Sequence, residues 1–483
     1  MEICKVVELL KKNNLLVEVN TENKVFNYLS YNSKDVESDT LFICKGLNFE
    51  LEYLEEAINK GVICYISESV LKKDFPYIIV KDVRKSMAII SKAFYDVSDK
   101  KLFLIGVTGT KGKTTTVNFI KNIFEEKENR KEPYMSTIDY FTGKRYGESH
   151  NTTSESVDIY RCIKDAKESN YNYLTLEISS QSVKLDRIYG MKFDIGVLTN
   201  IDLDHISTLE HSSFEEYLEC KIEFLKKCKT VILYRDTKYY DKIVSMLHGK
   251  NIITYGFSDA SYIVKDIKKD KDSTIFSCYN NGKSFTYKIN MIGEFNVLNA
   301  CVSLIISDIY NIDYETRLKG LLKTKVLGRM NIFKGKTTLV VDYAHNELSL
   351  LNLLDAIRKN YKNKNIKLVF GCPGDKAFNR REEMGLLANK YAKYVYITTE
   401  DPGSVSALDI SRIISSYLTI PYKIVLDREN AIKEAYLNSN KNDIVLVLGK
   451  GDEKYQLVNN EYIYYKSDVT VAEELTNSIK ISN

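Results

Sequence analysis

The chain has 483 residues, of which 44% are hydrophobic, and its 69 basic and 65 acidic residues give a formal net charge of +4. This length predicts about three domains, and the apolar content excludes bulk disorder because it supplies several cores. The nearly balanced charge argues against nucleic-acid binding through bulk charge, although a local basic pocket for a phosphorylated metabolite stays open.

The nine cysteines are odd in number and include no C-x-x-C pair, which argues against a disulfide framework and a zinc ribbon. Such a chain is typical of a reducing compartment. The N-terminus reaches charged residues too early for a signal peptide, and no apolar run approaches the ~18 residues of a membrane span. We therefore expect a cytoplasmic protein without membrane insertion and without a nucleic-acid partner.

Short apolar runs alternate with amphipathic stretches along the chain, a pattern typical of α/β sheets. The predicted strands lie, in chain order, in DTLFICKG, VICYISE, YIIVKD, KLFLIGVT, NYLTLEISS, FDIGVLTN, TTLVVDYAH, IKLVFGCPGD, YVYITTEDPG and DIVLVLGKGD. Breaks near 97–101 and at Arg329 divide them into three series. We therefore predict three α/β domains, residues 1–98, 99–328 and 329–483, with ligands at the carboxyl ends of parallel strands.

A glycine-rich segment follows the strand in KLFLIGVT and precedes a helical stretch. Its residues are Gly109, Thr110, Lys111, Gly112, Lys113, Thr114 and Thr115. Glycines let the backbone wrap a phosphate, Lys113 supplies a positive charge, and Thr114 and Thr115 place hydroxyls where Mg²⁺ sits. The strict pattern G-x-x-x-x-G-K-[ST] fails only at Val107. An ordinary glycine turn that caps a helix is the alternative, but the strand–loop–helix context favours a nucleotide-phosphate site.

This loop resembles the ATP loop of the Mur ligase family, which joins amino acids to cell-wall precursors and includes folylpolyglutamate and cyanophycin synthetases. The resemblance implies ATP as cosubstrate and two Mg²⁺ ions. Glu177 lies in EISSQ, similar to the family's E-V-S-S, which implies a Mg²⁺ ligand, although a strand-end glutamate alone is more often a surface or capping group. His205, in an Asp-His pair, resembles the residue that serves the second Mg²⁺, although an isolated loop histidine is usually solvated.

Lys221 lies on the apolar face of a predicted helix that starts with a Ser213–Glu216 capping box and runs to about Cys228. The apolar residues of that face are Phe214, Tyr217, Leu218 and Leu225. One interpretation is a lysine whose ammonium reaches water past the apolar face. The other is a buried amine of lowered pKa that CO₂ can carbamylate. Mur ligases carry a carbamylated lysine at the corresponding place, so the resemblance implies that Lys221 is carbamylated and serves a Mg²⁺ ion.

Two segments resemble those that hold the UDP-linked substrate in this family. Asn151, Thr152 and Thr153 resemble N-T-T-P, with Ser in place of Pro, and Ser179 and Arg187 match positions that bind the acceptor peptide.

In the first hundred residues, Ser33 and the 41–46 strand resemble the uridine-binding segment D-S-R…G-D-L-F, whereas Asn32 and Lys34 depart from it. Taken singly, each of these matches is also explained by polar loop chemistry.

The remaining nucleotide motifs lie on both sides of the second domain boundary. Asn296 and Asn299 lie in GEFNVLN, similar to the family's adenine segment G-x-F-N-x-x-N. Arg329, in LGRM, resembles P-G-R-x and is expected to reach the phosphates, and Asp342, in DYAHN, is expected at the ribose. The register from Gly371 through Arg381 matches G-C-G-G-D-R…K-R, which implies that Arg381 binds substrate.

The segment expected to select the amino acid is Glu400-Asp401-Pro402-Gly403. Family members that use meso-diaminopimelate carry D-N-P-R, whose arginine can pair with the distal carboxylate. Here glycine replaces that arginine and a further acid is present. Glu453, in GKGDE, is expected to bind the substrate's α-amino end.

We therefore predict L-lysine, then ornithine, with meso-diaminopimelate last. The alternative is that Gly403 only shapes a turn and another basic residue, such as Lys454, meets the carboxylate.

The resemblance spans Ser33 to Glu453 and implies a three-domain α/β amide ligase: a central ATPase domain with a phosphate loop and parallel sheet, an N-terminal uridine-binding domain and a C-terminal Rossmann-like domain. It implies phosphorylation of UDP-MurNAc-L-Ala-D-Glu by ATP and attack of a diamino acid on the acyl phosphate. Lys113, His205, Lys221 and Arg329 are the expected catalytic residues. We expect a monomer.

Two rival functions are a ligase that extends a free amino-acid chain, as in folylpolyglutamate or cyanophycin synthesis, and a non-catalytic nucleotide-binding partner in a wall-synthesis complex. The uridine-like first domain argues against the first rival. The joint presence of Lys113, Glu177, His205 and Lys221 argues against the second.

Overall fold

We describe a computed structural model of the chain over residues 1–46, 49–96, 101–149, 151–202, 211–459 and 461–477. Within these residues the strands form three sheets of five, eleven and six strands and one two-stranded hairpin. Helices pack on the sheets, and every strand predicted from the sequence is present. The predicted α/β class is therefore confirmed. No helix of the described residues is long and apolar enough to cross a membrane.

The first sheet has the order β1-β5-β4-β3-β2, in which β1 is antiparallel to β5 and the other pairs are parallel. Its elements are α1 (Ile3–Lys12), β1 (Leu16–Asn20), β2 (Tyr28–Ser30), β3 (Thr40–Ile43), α2 (Leu51–Asn59), β4 (Val62–Ser67), β5 (Tyr77–Val80) and α3 (Val83–Phe94). All four residues of β3 are buried, which explains the apolar run Leu41, Phe42 and Ile43 after Thr40.

The second sheet has the order β16-β15-β14-β13-β12-β11-β6-β10-β7-β8-β9. Its elements are β6 (Phe103–Thr108), α4 (Lys113–Glu128), β7 (Tyr134–Met135), β8 (Asp139–Phe141), β9 (Tyr146–Glu148), α5 (Ser156–Glu168), β10 (Tyr173–Glu177), α6 (Ser180–Lys184), β11 (Phe193–Leu198), α7 (Phe214–Lys226), β12 (Cys228–Tyr234), α8 (Tyr240–Ser245), β13 (Asn251–Gly256), β14 (Tyr262–Asp270), β15 (Ser273–Asn280), β16 (Lys283–Ile289), α9 (Glu294–Ile309) and α10 (Tyr314–Lys323). The strands from β14 to β7 pair in parallel, and antiparallel strands extend both edges.

Strand β6 lies between β11 and β10, so its carboxyl end is at the middle of the parallel region. Gly106 of β6 faces the ring of Phe224, and a Cβ at this position would collide with that ring. The missing side chain lets α7 approach β6 closely. This packing brings the face of α7 that carries Lys221 beneath the loop that follows β6.

The third sheet has the order β17-β18-β22-β19-β20-β21, and only β17 is antiparallel to its neighbour. Its elements, with the hairpin β23–β24, are β17 (Asn331–Lys334), β18 (Thr338–Asp342), α11 (Glu347–Asn360), β19 (Asn365–Phe370), α12 (Arg380–Tyr391), β20 (Tyr394–Ile397), α13 (Ala407–Ser416), β21 (Tyr422–Ile424), α14 (Arg428–Leu437), β22 (Asp443–Leu448), β23 (Tyr455–Val458), β24 (Glu461–Tyr464) and α15 (Asp468–Asn477). The carboxyl ends of β18, β19, β20 and β22 share one edge, which carries the predicted amino-acid residues.

Candidate functional site

The phosphate loop connects β6 to α4, and two glycines permit its shape. Gly109 and Gly112 have φ angles of +148° and +86°. A Cβ on Gly109 would collide with the hydroxyl of Thr199, and one on Gly112 with the amide of Asn299. Both glycines are therefore required by neighbouring side chains as well as by backbone conformation. Asn299, which was predicted to lie near the adenine, lies against Gly112 of the phosphate loop.

Two residues after β11 hold the loop in place. The Thr199 hydroxyl donates to the Lys111 carbonyl at 2.6 Å. The Asn200 amide accepts a hydrogen bond from the Lys111 amide nitrogen at 2.9 Å and donates to its carbonyl at 2.9 Å. Neither residue belongs to the site predicted from the sequence. Polar residues at the end of the strand next to β6 were the available signal.

The ammonium of Lys113 folds back over the loop. It donates to the carbonyl of Gly109 at 2.9 Å and to that of Thr110 at 3.3 Å. Its charge also lowers the pKa of Glu177 against the stronger effect of burial. Lys113 therefore stands between the loop that would hold phosphates and the carboxylate at the end of β10.

Glu177 is 1% exposed, and burial raises the pKa of its carboxyl group. Its two oxygens accept hydrogen bonds from the Thr137 amide at 3.0 Å and the Thr137 hydroxyl at 2.9 Å. The hydroxyl of Thr114 also lowers the pKa of Glu177, so this hydroxyl and the carboxylate are neighbours. Two hard oxygen donors beside a phosphate loop fit Mg²⁺, which takes its other ligands from phosphate and water.

The described residues contain no group of three His, Cys, Asp or Glu side chains that could hold a metal ion by themselves. His205, the predicted ligand of the second Mg²⁺, lies outside the described residues. The structure therefore places only part of the predicted metal-binding set, namely Thr114, Glu177 and Lys221.

Lys221 is 2% exposed and lies beneath the phosphate loop. Its Nζ is 3.4 Å from the Thr108 hydroxyl and 4.5 Å from the centre of the Tyr217 ring. The Tyr217 hydroxyl is in turn 2.9 Å from that of Thr110. The amine thus faces the interior, and the interpretation in which it reaches water does not describe this structure.

The predicted capping box of α7 is only half formed. The Ser213 hydroxyl accepts from the Glu216 amide at 3.2 Å, as expected. The Glu216 carboxylate instead accepts from the amide and hydroxyl of Ser212, at 2.7 and 2.8 Å, and pairs with Lys184. The helix ends at Lys226, because the next strand begins at Cys228.

The predicted acceptor-binding residues meet beside Glu177. The Thr153 hydroxyl donates to the Glu177 carbonyl at 2.8 Å and accepts from the Ser179 amide at 2.9 Å. The Arg187 guanidinium donates to the Thr153 carbonyl at 2.8 Å. Thr152 joins the cluster through the Thr137 hydroxyl, at 3.2 Å. Asn151, by contrast, is exposed.

Glu155 connects this cluster to the first sheet. Its buried carboxylate pairs with Lys45 at 3.1 Å, with Arg187 at 3.2 Å and with Arg84 at 3.6 Å. Three cations around one carboxylate leave a positive surplus, which suits an acidic substrate. Glu155, Arg84 and Lys45 do not belong to the site predicted from the sequence.

Ser33 lines a cavity of about 430 Å³ in the first sheet's domain. The other lining residues are Tyr31, Asn32, Lys34, Lys45, Phe49 and Tyr53. The Ser33 hydroxyl donates to Glu56 at 2.6 Å. Lys45 belongs both to this cavity and to the Glu155 cluster, so the cavity borders that cluster.

Arg329 and Asp342 meet at the start of the third sheet. The Asp342 carboxylate accepts from the Met330 amide at 2.7 Å and the Ala344 amide at 2.8 Å. Burial raises the pKa of the Asp342 carboxyl group, whereas the positive charge of Arg329 lowers it. The Arg329 guanidinium lies 4.1 Å from the centre of the Tyr343 ring.

Asn296, the other predicted adenine residue, donates its side-chain amide to the Ile292 carbonyl at 2.9 Å. The predicted contacts of Arg329, Asp342 and Asn296 with the nucleotide stay predictions.

The predicted amino-acid site contains one lysine between two acids. The Lys450 ammonium lies 2.9 and 3.0 Å from the Asp401 oxygens and also pairs with Glu453. The Tyr343 hydroxyl donates to Glu453 at 2.6 Å. Glu400 is buried, and burial raises its pKa to about 8. At neutral pH Glu400 is therefore mostly protonated. The net negative charge of the pocket comes from Asp401 and Glu453, which Lys450 neutralises only in part.

Gly403 shapes a turn, as the alternative interpretation supposed. It has φ +60°, its amide donates to the Leu457 carbonyl at 2.9 Å, and a Cβ here would collide with the Asp375 carboxylate. Lys454 pairs with Glu148 at 2.5 Å.

Arg381 is buried and donates to the Gly374 carbonyl at 2.8 Å and to that of Pro373 at 3.2 Å. It supports the loop after β19, and its predicted substrate contact stays a prediction.

Comparisons with known proteins agree with this arrangement. The Mur ligase middle domain matches residues 107–307, and the "Mur ligase, glutamate ligase domain" matches residues 328–451. A Streptococcus agalactiae protein named UDP-N-acetylmuramoyl-L-alanyl-D-glutamate--L-lysine ligase is 35% identical, over 98% of this chain and 99% of its own. A protein of the same name from Enterococcus faecalis is also 35% identical, over 93% of this chain and 91% of its own.

Two solved structures share the fold. A UDP-N-acetylmuramoyl-L-alanyl-D-glutamate--2,6-diaminopimelate ligase aligns with a TM-score of 0.64 and 24% identity, over 96% of this chain and 97% of its own. A MurF ligase from Thermotoga maritima in complex with ADP aligns with a TM-score of 0.63 and 20% identity, over 87% and 93%. With full-length relatives at 35% identity and both family domains matched in order, the chain belongs to the Mur ligase family.

Proposed function

We propose that this chain is an ATP-dependent ligase that adds L-lysine to UDP-MurNAc-L-Ala-D-Glu in the synthesis of peptidoglycan precursors. The observation that carries the proposal is the cluster of Asp401, Lys450 and Glu453 at the carboxyl edge of the third sheet. Two carboxylates around one ammonium leave one negative charge, which suits a substrate with a second ammonium group. The names of the full-length relatives support the same substrate.

The reaction needs two bond exchanges. A carboxylate oxygen of the D-glutamyl side chain attacks the γ-phosphorus of ATP, and ADP leaves. The lysine amine then attacks the acyl carbon, phosphate leaves, and the amine nitrogen loses a proton. Phosphorylation is required because a free carboxylate is a poor electrophile.

The protein's contribution is charge and position. Lys113, at the loop, neutralises charge on the transferred phosphoryl group, and Arg329 is proposed to do the same from the third sheet. Thr114 and Glu177 are proposed to hold a Mg²⁺ ion, which when bound supplies further positive charge at the phosphates. Thr153, Ser179 and Arg187 are proposed to hold the acceptor beside them.

We further propose that Lys221 is carbamylated and that His205 and this carbamate serve a second Mg²⁺ ion. The buried ammonium first loses a proton, and the neutral amine nitrogen then attacks the carbon of CO₂ and loses a second proton, so that a cation becomes a carbamate anion. Burial of Lys221 beneath the phosphate loop supports this proposal, because an ammonium there would gain little from solvent. The neighbouring Thr108 hydroxyl is within 3.4 Å and offers a hydrogen bond to a new carboxylate.

The proposed domains are residues 1–98, which bind the uridine end, 99–328, which bind ATP, and 329–483, which bind the amino acid. One sheet in each range supports this division. We propose a monomer that works in the cytoplasm, where the nine free thiols stay reduced.

The test is a competition assay with ATP, UDP-MurNAc-L-Ala-D-Glu and equal concentrations of L-lysine, ornithine and meso-diaminopimelate. We expect the lysyl tripeptide as main product, identified by mass, with phosphate release that depends on lysine. Preference for meso-diaminopimelate would overturn the lysine assignment. Phosphate release with folate or free-peptide acceptors, but none with the UDP-linked dipeptide, would overturn the assignment of UDP-MurNAc-L-Ala-D-Glu as the acceptor.

A further inference from the structure

The last residue of β18 and the segment that follows it contact three parts of the candidate site. Asp342 binds the Met330 amide next to Arg329. Tyr343 donates to Glu453 at 2.6 Å. His345 lies 3.4 Å, through its Nε2, from the ammonium of Lys111 in the phosphate loop. Four consecutive residues therefore run from the predicted ribose residue to the amino-acid pocket and back to the phosphate loop.

Tyr343 is at the centre of this arrangement. The Arg329 guanidinium lies 4.1 Å from its ring centre, and the His345 ring packs against it edge-on at 4.9 Å. These two contacts fix the plane of the ring. Burial and the Glu453 carboxylate raise the pKa of Tyr343 well above its ordinary value, so the hydroxyl stays protonated and acts as a donor.

To receive a substrate ammonium group, the Glu453 carboxylate must stay partly accessible and yet be held in place by other contacts. Its side chain is 38% exposed, whereas that of Lys450 is 4% exposed. Lys450 pairs with both Glu453 and Asp401. This shared ion pair by itself does not hold the Glu453 carboxylate in one orientation. The Tyr343 hydroxyl binds Glu453 Oε1, whereas Lys450 pairs with Oε2, so the two contacts together fix the orientation of the partly exposed carboxylate.

We propose that Tyr343 is a positioning residue that holds Glu453 in the orientation that receives an ammonium group of the incoming diamino acid. This proposal rests on the proposed lysine ligase function. Tyr343 acts through Glu453 and contributes to binding of the amino acid, while Arg329 and His345 hold its ring from the nucleotide side.

The experiment compares steady-state kinetics of the full chain with Tyr343→Phe. Removal of the hydroxyl should raise KM for lysine about tenfold, since one charge-assisted hydrogen bond is lost. Both kcat at saturating lysine and KM for ATP should stay within about threefold of the wild type, because the ring and its contacts remain. Tyr465→Phe is the matched control: the buried Tyr465 hydroxyl has no hydrogen-bond partner among the described residues, so KM for lysine should not change.

A double-mutant cycle tests whether Tyr343 acts through Glu453. In a Glu453→Gln background the further effect of Tyr343→Phe on KM for lysine should fall below about twofold, because contacting residues are not additive. An unchanged KM in Tyr343→Phe, or a tenfold rise that persists in the Glu453→Gln background, overturns the proposal. If the wild-type chain makes no lysyl product, the proposed function is wrong. The Tyr343 proposal is then tested by measuring KM of the same variants for the amino acid that the competition assay identifies.

Discussion

The Nζ of Lys111 lies 3.4 Å from the Nε2 of His345, although 234 residues separate them in the chain. The other nitrogen of His345 lies 2.7 Å from the Tyr343 carbonyl, which makes that nitrogen the donor and leaves Nε2 to accept from Lys111. The phosphate loop of the second sheet therefore contacts the segment after β18 in the third sheet directly. The residues predicted to bind the nucleotide and those predicted to bind the amino acid therefore lie on two segments that touch.

Replacement of Lys113 by alanine should lower kcat by a factor on the order of 10²–10³, since a preorganised charge at the transferred phosphoryl group is lost. The fold should persist, because the loop shape depends on Gly109, Gly112 and the bonds from Asn200. Phosphate release measures the first effect and circular dichroism the second. Near-normal turnover in a folded Lys113→Ala chain contradicts the assigned role.

Lys221→Ala should be nearly inactive, and acetate should restore part of the activity if a carboxylate is what the site needs. Depletion of CO₂ should slow the wild type. The control is Lys226→Ala on the same helix, where the lysine is 40% exposed and pairs with Glu223, so activity should be unchanged. An unmodified Lys221 in the active chain, seen by intact-mass measurement under CO₂, argues for a role as a plain ammonium.

The selectivity segment requires a different test from a single Gly403→Arg substitution. A side chain at Gly403 would collide with Asp375, so that variant should distort the loop. Asp401→Asn instead removes one of the two carboxylates that pair with Lys450 and keeps the other, Glu453. We expect the lysine-to-diaminopimelate product ratio to fall about tenfold. An unchanged ratio in Asp401→Asn excludes this carboxylate as the group that selects the amino acid.

Arg428 and Asp468 form a buried ion pair that anchors α15 to α14. Their two hydrogen bonds measure 2.7 Å each, and both side chains are at most 1% exposed. Asp468→Asn should therefore cost about 3–5 kcal/mol of stability, because a buried guanidinium loses its charged partner. Chemical denaturation of this domain reports the loss. Lys423→Ala, which removes an exposed pair with Glu434, should leave the denaturation midpoint nearly unchanged.

Glu132 should make stability fall as pH rises. Burial raises its pKa from 4.5 to about 8, and both carboxylate oxygens are buried without a hydrogen-bond partner among the described residues. Between these two values the folded state binds more protons than the unfolded state, so stability decreases with pH up to about 8 and is level above it. Melting temperatures of the wild type and Glu132→Gln at pH 5 to 9 measure this, and the variant should show a smaller decline. Parallel curves contradict the assignment.

Local patterns were enough to predict the ten named strands, the phosphate loop and the family, because each depends on residues close together in the chain. The apolar runs of β3 and β22 read directly as buried strands. Strands β14 and β16 were not predicted, since their lysine-containing and largely exposed sequences carry no regular buried periodicity. The predicted capping box at Ser213 was wrong in its glutamate half, because the Glu216 carboxylate accepts from Ser212 and pairs with Lys184.

The composition of the site was largely present in the sequence, but its charge balance was not. Glu400 was predicted as an acid of the pocket, whereas burial raises its pKa to about 8. Likewise, the Glu155 cluster joins Lys45, Arg84 and Arg187 from two sheets, and no spacing along the chain signals such a pairing. Residue types follow from the sequence, whereas desolvation and ion pairing depend on which distant segments pack together, and only the tertiary structure decides that.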